Sequence, residues 1–280
     1  MGRSLGVVIA VRNEERHILP VLKALDAQSL RPDMVVVVDD GSTDRTPEVL
    51  REASESVAFS LHVIPLPYHA ESKVGKPGLA AVFNEGLAWL RALDPRPGYV
   101  MILGADHRLP SDYIESIIGK MEQDPRLAVA GGWIADEPYW EHAPRGSSMI
   151  VRADFWDGAG GMQFPLAYGW ESWLYLKALQ EGYRTRSFKE VPTRVLRRTS
   201  MRKGVPYGRA MYALGYYWPY ALGRCLLAFP RSPRGAVQML AGYLDHRGVR
   251  RLDVSGWVGA NQRRVFLRRA GLVVAHLGRR

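Results

Sequence analysis

An α/β fold with a mostly parallel sheet, covered by helices on both faces, is predicted by three features of this 280-residue chain. Short apolar runs alternate with segments of helical periodicity. The runs are mostly apolar, as in strands of a sheet covered on both faces. Polar residues gather just after the runs, where ligands bind in such sheets, outside the carboxyl ends of the strands.

The elements follow in order. Leu5 to Val11, Met34 to Val38, Ser60 to Ile64, Tyr99 to Leu103 and Leu127 to Ala130 read as strands, and between them His17 to Gln28, Thr46 to Glu55, Leu79 to Leu93 and Asp112 to Gln123 read as helices. Gly41 supplies a tight turn after the second strand, and Ser42, Thr43 or Asp44 can cap a helix beginning near Pro47. A later helix is marked by the apolar face Trp173, Leu174, Leu176 and Leu179, with Gly182 as its stop.

Charge divides the chain. Residues 181–280 carry 21 Lys and Arg against 4 Asp and Glu, whereas residues 1–180 carry 17 against 24. An acidic body would oppose a polyanion and no recognition module is evident, so nucleic acid is not an expected partner. The one cysteine, Cys225, excludes an internal disulfide and fits a reducing compartment. Leu5 to Val11 is too short for a secretory signal and runs into Arg12-Asn13-Glu14-Glu15.

The basic half contains two segments suited to a membrane surface. Ala210 to Phe229 is apolar and aromatic but broken by Pro219, Gly223 and Arg224. Its longest uncharged stretch falls short of the roughly 20 residues a bilayer span needs. Asn261 to Arg280 sets Val265, Phe266, Leu267, Leu272, Val273 and Leu277 among six arginines, a basic amphipathic helix attracted to anionic lipid. The expected organisation is a catalytic domain over 1–205 and a basic helical region over 206–280. The expected location is the cytoplasmic face of the membrane, peripheral or monotopic.

Asp39 and Asp40 stand side by side at the end of an all-valine strand, where their repulsion has to be offset by donors or a ligand. A nucleoside, with its N–H and hydroxyl groups, would satisfy them. Asp106 likewise ends an apolar run, in "LGADHRLP".

"VVIAVRNEE" followed by "VVVVDDGSTDRT" resembles the opening of the family 2 glycosyltransferases, which have the GT-A fold, Rossmann-like and specific for nucleotide-diphospho-sugars. The likeness continues in "GKPGLAAVFNEGL", in "LGADHRLP", similar to the family's metal-binding Asp-x-Asp, and in "GGMQFPLAYGWESWLYLKALQEGY", similar to its acceptor loop and Glu-Asp pair. It covers roughly residues 5 to 200. The resemblance implies inverting transfer of a sugar from a nucleoside diphosphate. The expected donor is GDP-mannose and the expected acceptor lipid-linked, with a UDP-sugar and a soluble or polyprenyl phosphate acceptor as the alternative.

Under this resemblance Ala10, Val11, Arg12, Asn13, Glu14, Asp39, Asp40, Lys76, Asn84 and Ala105 hold the nucleotide. Asp106, with His107 beside it, ligates Mn2+ or Mg2+, and Gly104 stands where the first aspartate is expected. Glu171 is the candidate base, because Ser172 replaces the aspartate usually assigned. Trp170 and Trp173 belong to an aromatic cluster suited to stacking on a sugar, and Arg197, Arg198 and Arg202 are placed to meet a departing phosphate. The departures at Gly104 and Ser172 keep open a non-catalytic sugar-nucleotide-binding or membrane-docking protein. A sugar nucleotidyltransferase lacks support because "AVRNEE" has no glycine-rich loop, and a processive synthase because no Gln-x-x-Arg-Trp is present.

Overall fold

The computed structural model describes residues 3–135, 137–196 and 204–277, of which 269–277 by their backbone alone. The chain divides into two compact units. Met1–Lys73, Gly78–Phe164 and Lys177–Arg198 form the first, and Val74–Pro77, Pro165–Leu176 and Thr199–Arg280 the second.

Eight strands form the sheet of the first unit: β1 (Leu5–Val11), β2 (Met34–Asp39), β3 (Ser60–Pro65), β4 (Tyr99–Gly104), β5 (His107–Arg108), β6 (Leu127–Ile134), β7 (Ile150–Arg152) and β8 (Arg184–Val195). Helices α1 (Ile18–Asp26), α2 (Thr46–Ser54), α3 (Pro77–Arg91), α4 (Tyr113–Gln123), α5 (Ala153–Gly160) and α6 (Trp170–Gln180) alternate with them along the chain. The strand order is β3-β2-β1-β4-β7-β6-β8-β5. From β3 to β4 every pairing is parallel. Beyond β4 the sheet is mixed, because β7 enters antiparallel between β4 and β6 and β5 runs antiparallel to β8. The mostly parallel expectation holds from β3 to β4 and again between β6 and β8, and the short antiparallel strands escape a sequence reading for a physical reason. β7 and β5 have three and two residues, too few to show as apolar runs.

Burial on both sheet faces explains the valine-rich strands. Leu5, Val7, Ile9 and Val11 of β1 join Ile18, Leu22, Leu50, Ile114 and Ile118 of α1, α2 and α4 in one core cluster. Each such side chain stabilises the fold by about 1.5–3 kcal/mol when fully buried. Val8 points the other way, toward α3, and the helix comes so close that a Cβ on Gly86 would lie 2.6 Å from its Cγ1. Only glycine fits there.

The second unit contains α7 (Gly204–Ala213), α8 (Trp218–Ala228), α9 (Pro233–Leu244) and α10 (Ser255–Leu277). α7 and α9 meet backbone to backbone: a Cβ on Gly208 would lie 2.0 Å from the Met239 carbonyl oxygen, and one on Gly242 would lie 2.2 Å from that of Val205. Met211, Ala221, Cys225 and Met239 form the small core beside this crossing. Among the described residues no helix is long and apolar enough to cross a membrane.

Candidate active site

The chain runs from β1 to β2 and β3 on one side, then returns to place β4 on the other, so a crevice opens at the carboxyl ends on either side of β1. The register pairs Val11 with Asp39 and Ala10 with Gly104. Asp40 and Asp106 therefore leave the sheet at the ends of the two strands that flank β1. With a neighbour spacing of about 4.8 Å, β2 and β4 lie roughly 10 Å apart, within the span of a nucleoside diphosphate.

The loops after β1 and β2 are stitched together by their own motif residues. Asn13 N–H donates to Ser42 Oγ at 2.9 Å, and Asn13 Oδ1 accepts from Thr43 N–H at 2.8 Å. Glu14 N–H donates to Thr46 Oγ1 at 2.8 Å, and the buried Glu14 carboxylate lies 3.0 Å from His17 Nδ1. Asp44 accepts from Thr46 N–H and Oγ1 at 3.0 and 2.6 Å. Burial pushes the Asp44 carboxyl up, but these bonds and the Glu15 N–H outweigh it and hold it below its ordinary range. Asp44 thus serves the start of α2 without being its cap residue, which is Arg45. Asn13 and Glu14, expected to hold nucleotide, hold the neighbouring loop.

Asp39 and Asp40 are both 4% exposed, and the chain supplies partners for each. Asp39 Oδ1 accepts from Ser42 N–H at 3.0 Å across the turn at Gly41. That turn needs glycine, since φ is 71° and a Cβ would lie 2.7 Å from Tyr68 Cα. Lys73 Nζ donates to Asp40 Oδ1 at 2.6 Å, and His69 Nε2 lies 3.0 Å from the same oxygen. Arg12 Nη1 approaches His69 Nδ1 at 3.1 Å. A guanidinium can only donate, so Nδ1 is the acceptor in that contact, while Nε2 is buried near Asp40 without a hydrogen bond. Arg12 also donates to the carbonyls of His69 and Glu71, fixing this segment against β1's end. The repulsion, expected to be offset by donors or a ligand, meets donors within the protein.

Asp106 follows β4 at the turn into β5, and its carbonyl accepts from Leu196 N–H at 2.9 Å. His107 is fully buried, with neither ring nitrogen hydrogen-bonded. Burial, with the Arg145 cation, drives its pKa down to about 4 against the opposing pull of Asp106, leaving a neutral imidazole. Gly104 makes room for both side chains: a Cβ there would lie 3.2 Å from His107 Nδ1 and 3.4 Å from Asp106 Oδ1. The Cβ of the aspartate expected at this position would press closely on His107 and touch Asp106 at ordinary contact distance. No group of three or more metal-ligating side chains occurs among the described residues. One carboxylate beside an unpartnered imidazole fits a cation that takes its remaining ligands from diphosphate and water.

Ala10, Val11 and Ala105 are backbone-lining residues of the crevice, and Val11 and Ala105 also belong to the core. Asn84, expected to hold nucleotide, is engaged with the Phe164 backbone. Its amide donates to the Phe164 carbonyl at 2.9 Å and accepts from Phe164 N–H at 2.7 Å, so both ends serve packing. Lys76 is exposed immediately before α3, and Lys73 rather than Lys76 reaches Asp40. In the second unit Glu171 is exposed in the first turn of α6. Ser172 hydrogen-bonds Tyr175, whose phenol burial pushes up. Trp170 and Trp173 are each 4% exposed, and Trp173 Nε1 donates to Asp253 at 2.6 Å. Both are buried, whereas the expected sugar platform would present a face to ligand. Arg197, Arg198 and Arg202 lie outside the described residues.

Sequence reasoning missed His69 and Lys73. The strand-end rule that selected the residues after β1, β2 and β4 also points to the segment after β3, where both lie. A separate cleft of about 560 Å³ lies away from the strand ends, lined by residues including Lys120, Asp124, Arg184 and Glu190. Its charges are paired, Lys120 with Glu190 at 2.9 Å and Arg184 with Asp124 at 3.0 Å.

A family model described as Glycosyl transferase family 2 matches residues 6–204. The 4,4'-diaponeurosporenoate glycosyltransferase of Staphylococcus haemolyticus is 44% identical over 55 residues, 20% of this chain and 14% of that protein. Glycosyltransferase GlyA of Streptococcus pneumoniae is 28% identical over 132 residues, 47% of this chain and 17% of GlyA. This chain thus spans less than a fifth of either relative's length. The solved mannosyltransferase PcManGT from Pyrobaculum calidifontis, in complex with GDP-Man and Mn2+, is 17% identical, with a TM-score of 0.60 over 94% of this chain and 80% of that one. Residues 1–349 of S. aureus TarS, in complex with UDP, are 16% identical, with a TM-score of 0.53 over 75% of this chain and 63% of that one. The structural likeness is one of fold, and the family model matches well over half of the sequence: this chain belongs to glycosyl transferase family 2.

Proposed function

We propose that the chain is a metal-dependent, inverting glycosyltransferase that moves mannose from GDP-mannose to a lipid-linked acceptor at the cytoplasmic face of a membrane. The observation that carries this reading is the placement of Asp39-Asp40 and Asp106 at the ends of the strands flanking β1. The donor is suggested by the Pyrobaculum mannosyltransferase, solved with GDP-Man and Mn2+.

Asp40 accepts an N–H of the nucleoside, with Lys73 fixing the carboxylate's orientation and His69 close beside it. Asp106, beside the neutral His107, would hold a divalent cation, which when bound would offset the negative charge of the diphosphate. An acceptor oxygen attacks the anomeric carbon from the face opposite the diphosphate. The new C–O bond forms as the bond to the diphosphate breaks, and its electron pair leaves with the phosphate. Arg197, Arg198 and Arg202 meet the developing charge. Where the acceptor is a hydroxyl, Glu171 takes its proton. An ionised lipid phosphate oxygen carries no proton to remove, so Ser172 in place of aspartate is no obstacle to that chemistry.

TarS has been solved with UDP and with UDP-GlcNAc, which favours a UDP-sugar as the second choice of donor. Sugar-labelled GDP-mannose, UDP-glucose and UDP-GlcNAc, each incubated with Mn2+ and a polyprenyl phosphate in detergent, separate these readings. Label from GDP-mannose passes to the organic phase. Transfer from a UDP-sugar alone overturns the donor assignment, and transfer from none overturns the lipid phosphate acceptor.

A further inference from the structure

Helix α8 turns one side to protein and leaves the other bare. Ala221 and Cys225 pack with Met211 and Met239 in the second unit's core, and Ala228, Leu240 and Tyr243 close around them. On the other side Trp218 is 61% exposed, Leu226 63%, Leu227 74% and Phe229 50%, with Leu222 exposed between them. At 3.6 residues per turn, half the circumference runs from Trp218 through Leu222, Leu226, Pro219 and Gly223 to Leu227 without a charged side chain. Isolated exposed leucines are ordinary, but a continuous uncharged face carrying four large apolar side chains is not.

Its surroundings are cationic. Residues 204–280 contain 13 arginines, no lysine, two aspartates and no glutamate. Both acids are engaged within the unit, Asp245 by Arg209 at 3.3 Å and Asp253 by Trp173 Nε1 at 2.6 Å. Beyond Phe229 the chain passes directly to the exposed Arg231 and Arg234. At the other end Tyr217 and Trp218 supply the aromatic pair favoured at a membrane–water boundary. A helix of 11 residues is too short to span a bilayer.

We propose that the outer face of α8 docks in the headgroup region of an anionic lipid bilayer, with Leu222, Leu226, Leu227 and Phe229 entering the acyl boundary and Arg231 and Arg234 on the phosphates. Charge selects this occupant. A second copy would bring another arginine-rich surface against the first, whereas anionic lipid offsets it. The benefit to catalysis rests on the lipid-acceptor reading, but the docking does not.

Vesicle flotation of the full chain tests it, using phosphatidylcholine alone and phosphatidylcholine with phosphatidylglycerol. Wild type floats with the anionic vesicles and is released at high salt. The Leu226→Asp/Leu227→Asp variant, altered only at exposed positions, keeps its melting temperature and its rate of GDP-mannose hydrolysis but loses about tenfold or more in vesicle partition. Equal flotation of variant and wild type overturns the proposal. So does a wild type that ignores anionic vesicles, whether it stays monomeric or forms a dimer that the variant abolishes. Hydrolysis, measured without vesicles, reports on the transferase assignment separately.

Discussion

His107 is held as a neutral imidazole by the absence of water, and this has a consequence for stability. Its folded pKa of about 4 lies below the ordinary 6.5, so the unfolded chain takes up the proton first as pH falls. The stability this group confers is fully present above about 6.5 and declines between 6.5 and 4, by roughly 3 kcal/mol in total. In metal-free protein, His107→Gln flattens the fall of unfolding free energy across that window relative to wild type. Parallel curves for the two proteins would contradict this account of the site. At this scale the sequence was only partly informative. Asp39, Asp40 and Asp106 stand out because a carboxylate after a valine-rich run is chemically conspicuous. Lys73 does not, because a lysine three residues from another lysine gives no sign of which one reaches Asp40. The contacts of Asn84 are not legible either, because an amide on a helix suits a backbone pincer as well as a ligand.

Among the elements, Tyr113 at the start of α4 ties together pieces distant in sequence. Its hydroxyl donates to the Ser148 carbonyl at 2.5 Å and accepts from Gly132 N–H at 2.8 Å. The hydroxyl is fully buried, which pushes its pKa up to about 12. Tyr113→Phe leaves a buried carbonyl and a buried N–H without partners and costs about 1–3 kcal/mol. Chemical denaturation measures that loss, and a variant as stable as wild type would show that these groups find other partners. The long strands β1, β2 and β4 are legible in the sequence because burial on both faces demands uninterrupted apolar residues. The helices α1 to α4 are legible from their 3.6-residue period. β5 and β7 are hidden by brevity. β8 is missed because its burial alternates and charged residues occupy the outward positions. The burial of Trp170 and Trp173 is not legible in the sequence, since composition cannot tell a stacking platform from a core.

For the whole molecule, the separation of charge is the feature most easily read and the hardest to convert into contacts. Residues 1–180 are net acidic and 181–280 strongly basic. That asymmetry suits the two proposed partners, a cation-bridged nucleotide for one part and an anionic surface for the other. The fold class followed from alternation of elements and the family from motif residues. The stitching of the first two loops could not follow from either, because the residues that bond across them are those a ligand would also choose.

The central claim is that a nucleotide sugar is gripped at the strand ends through a cation at Asp106. Thermal-shift titration of wild type and Asp106→Ala with GDP-mannose, in Mn2+ and in EDTA, tests it most directly. The account predicts a rise in wild-type melting temperature that requires Mn2+ and is absent in Asp106→Ala, corresponding to about 2.7 kcal/mol at a donor concentration of 100 times Kd. An equal, Mn2+-dependent rise in both proteins would contradict it.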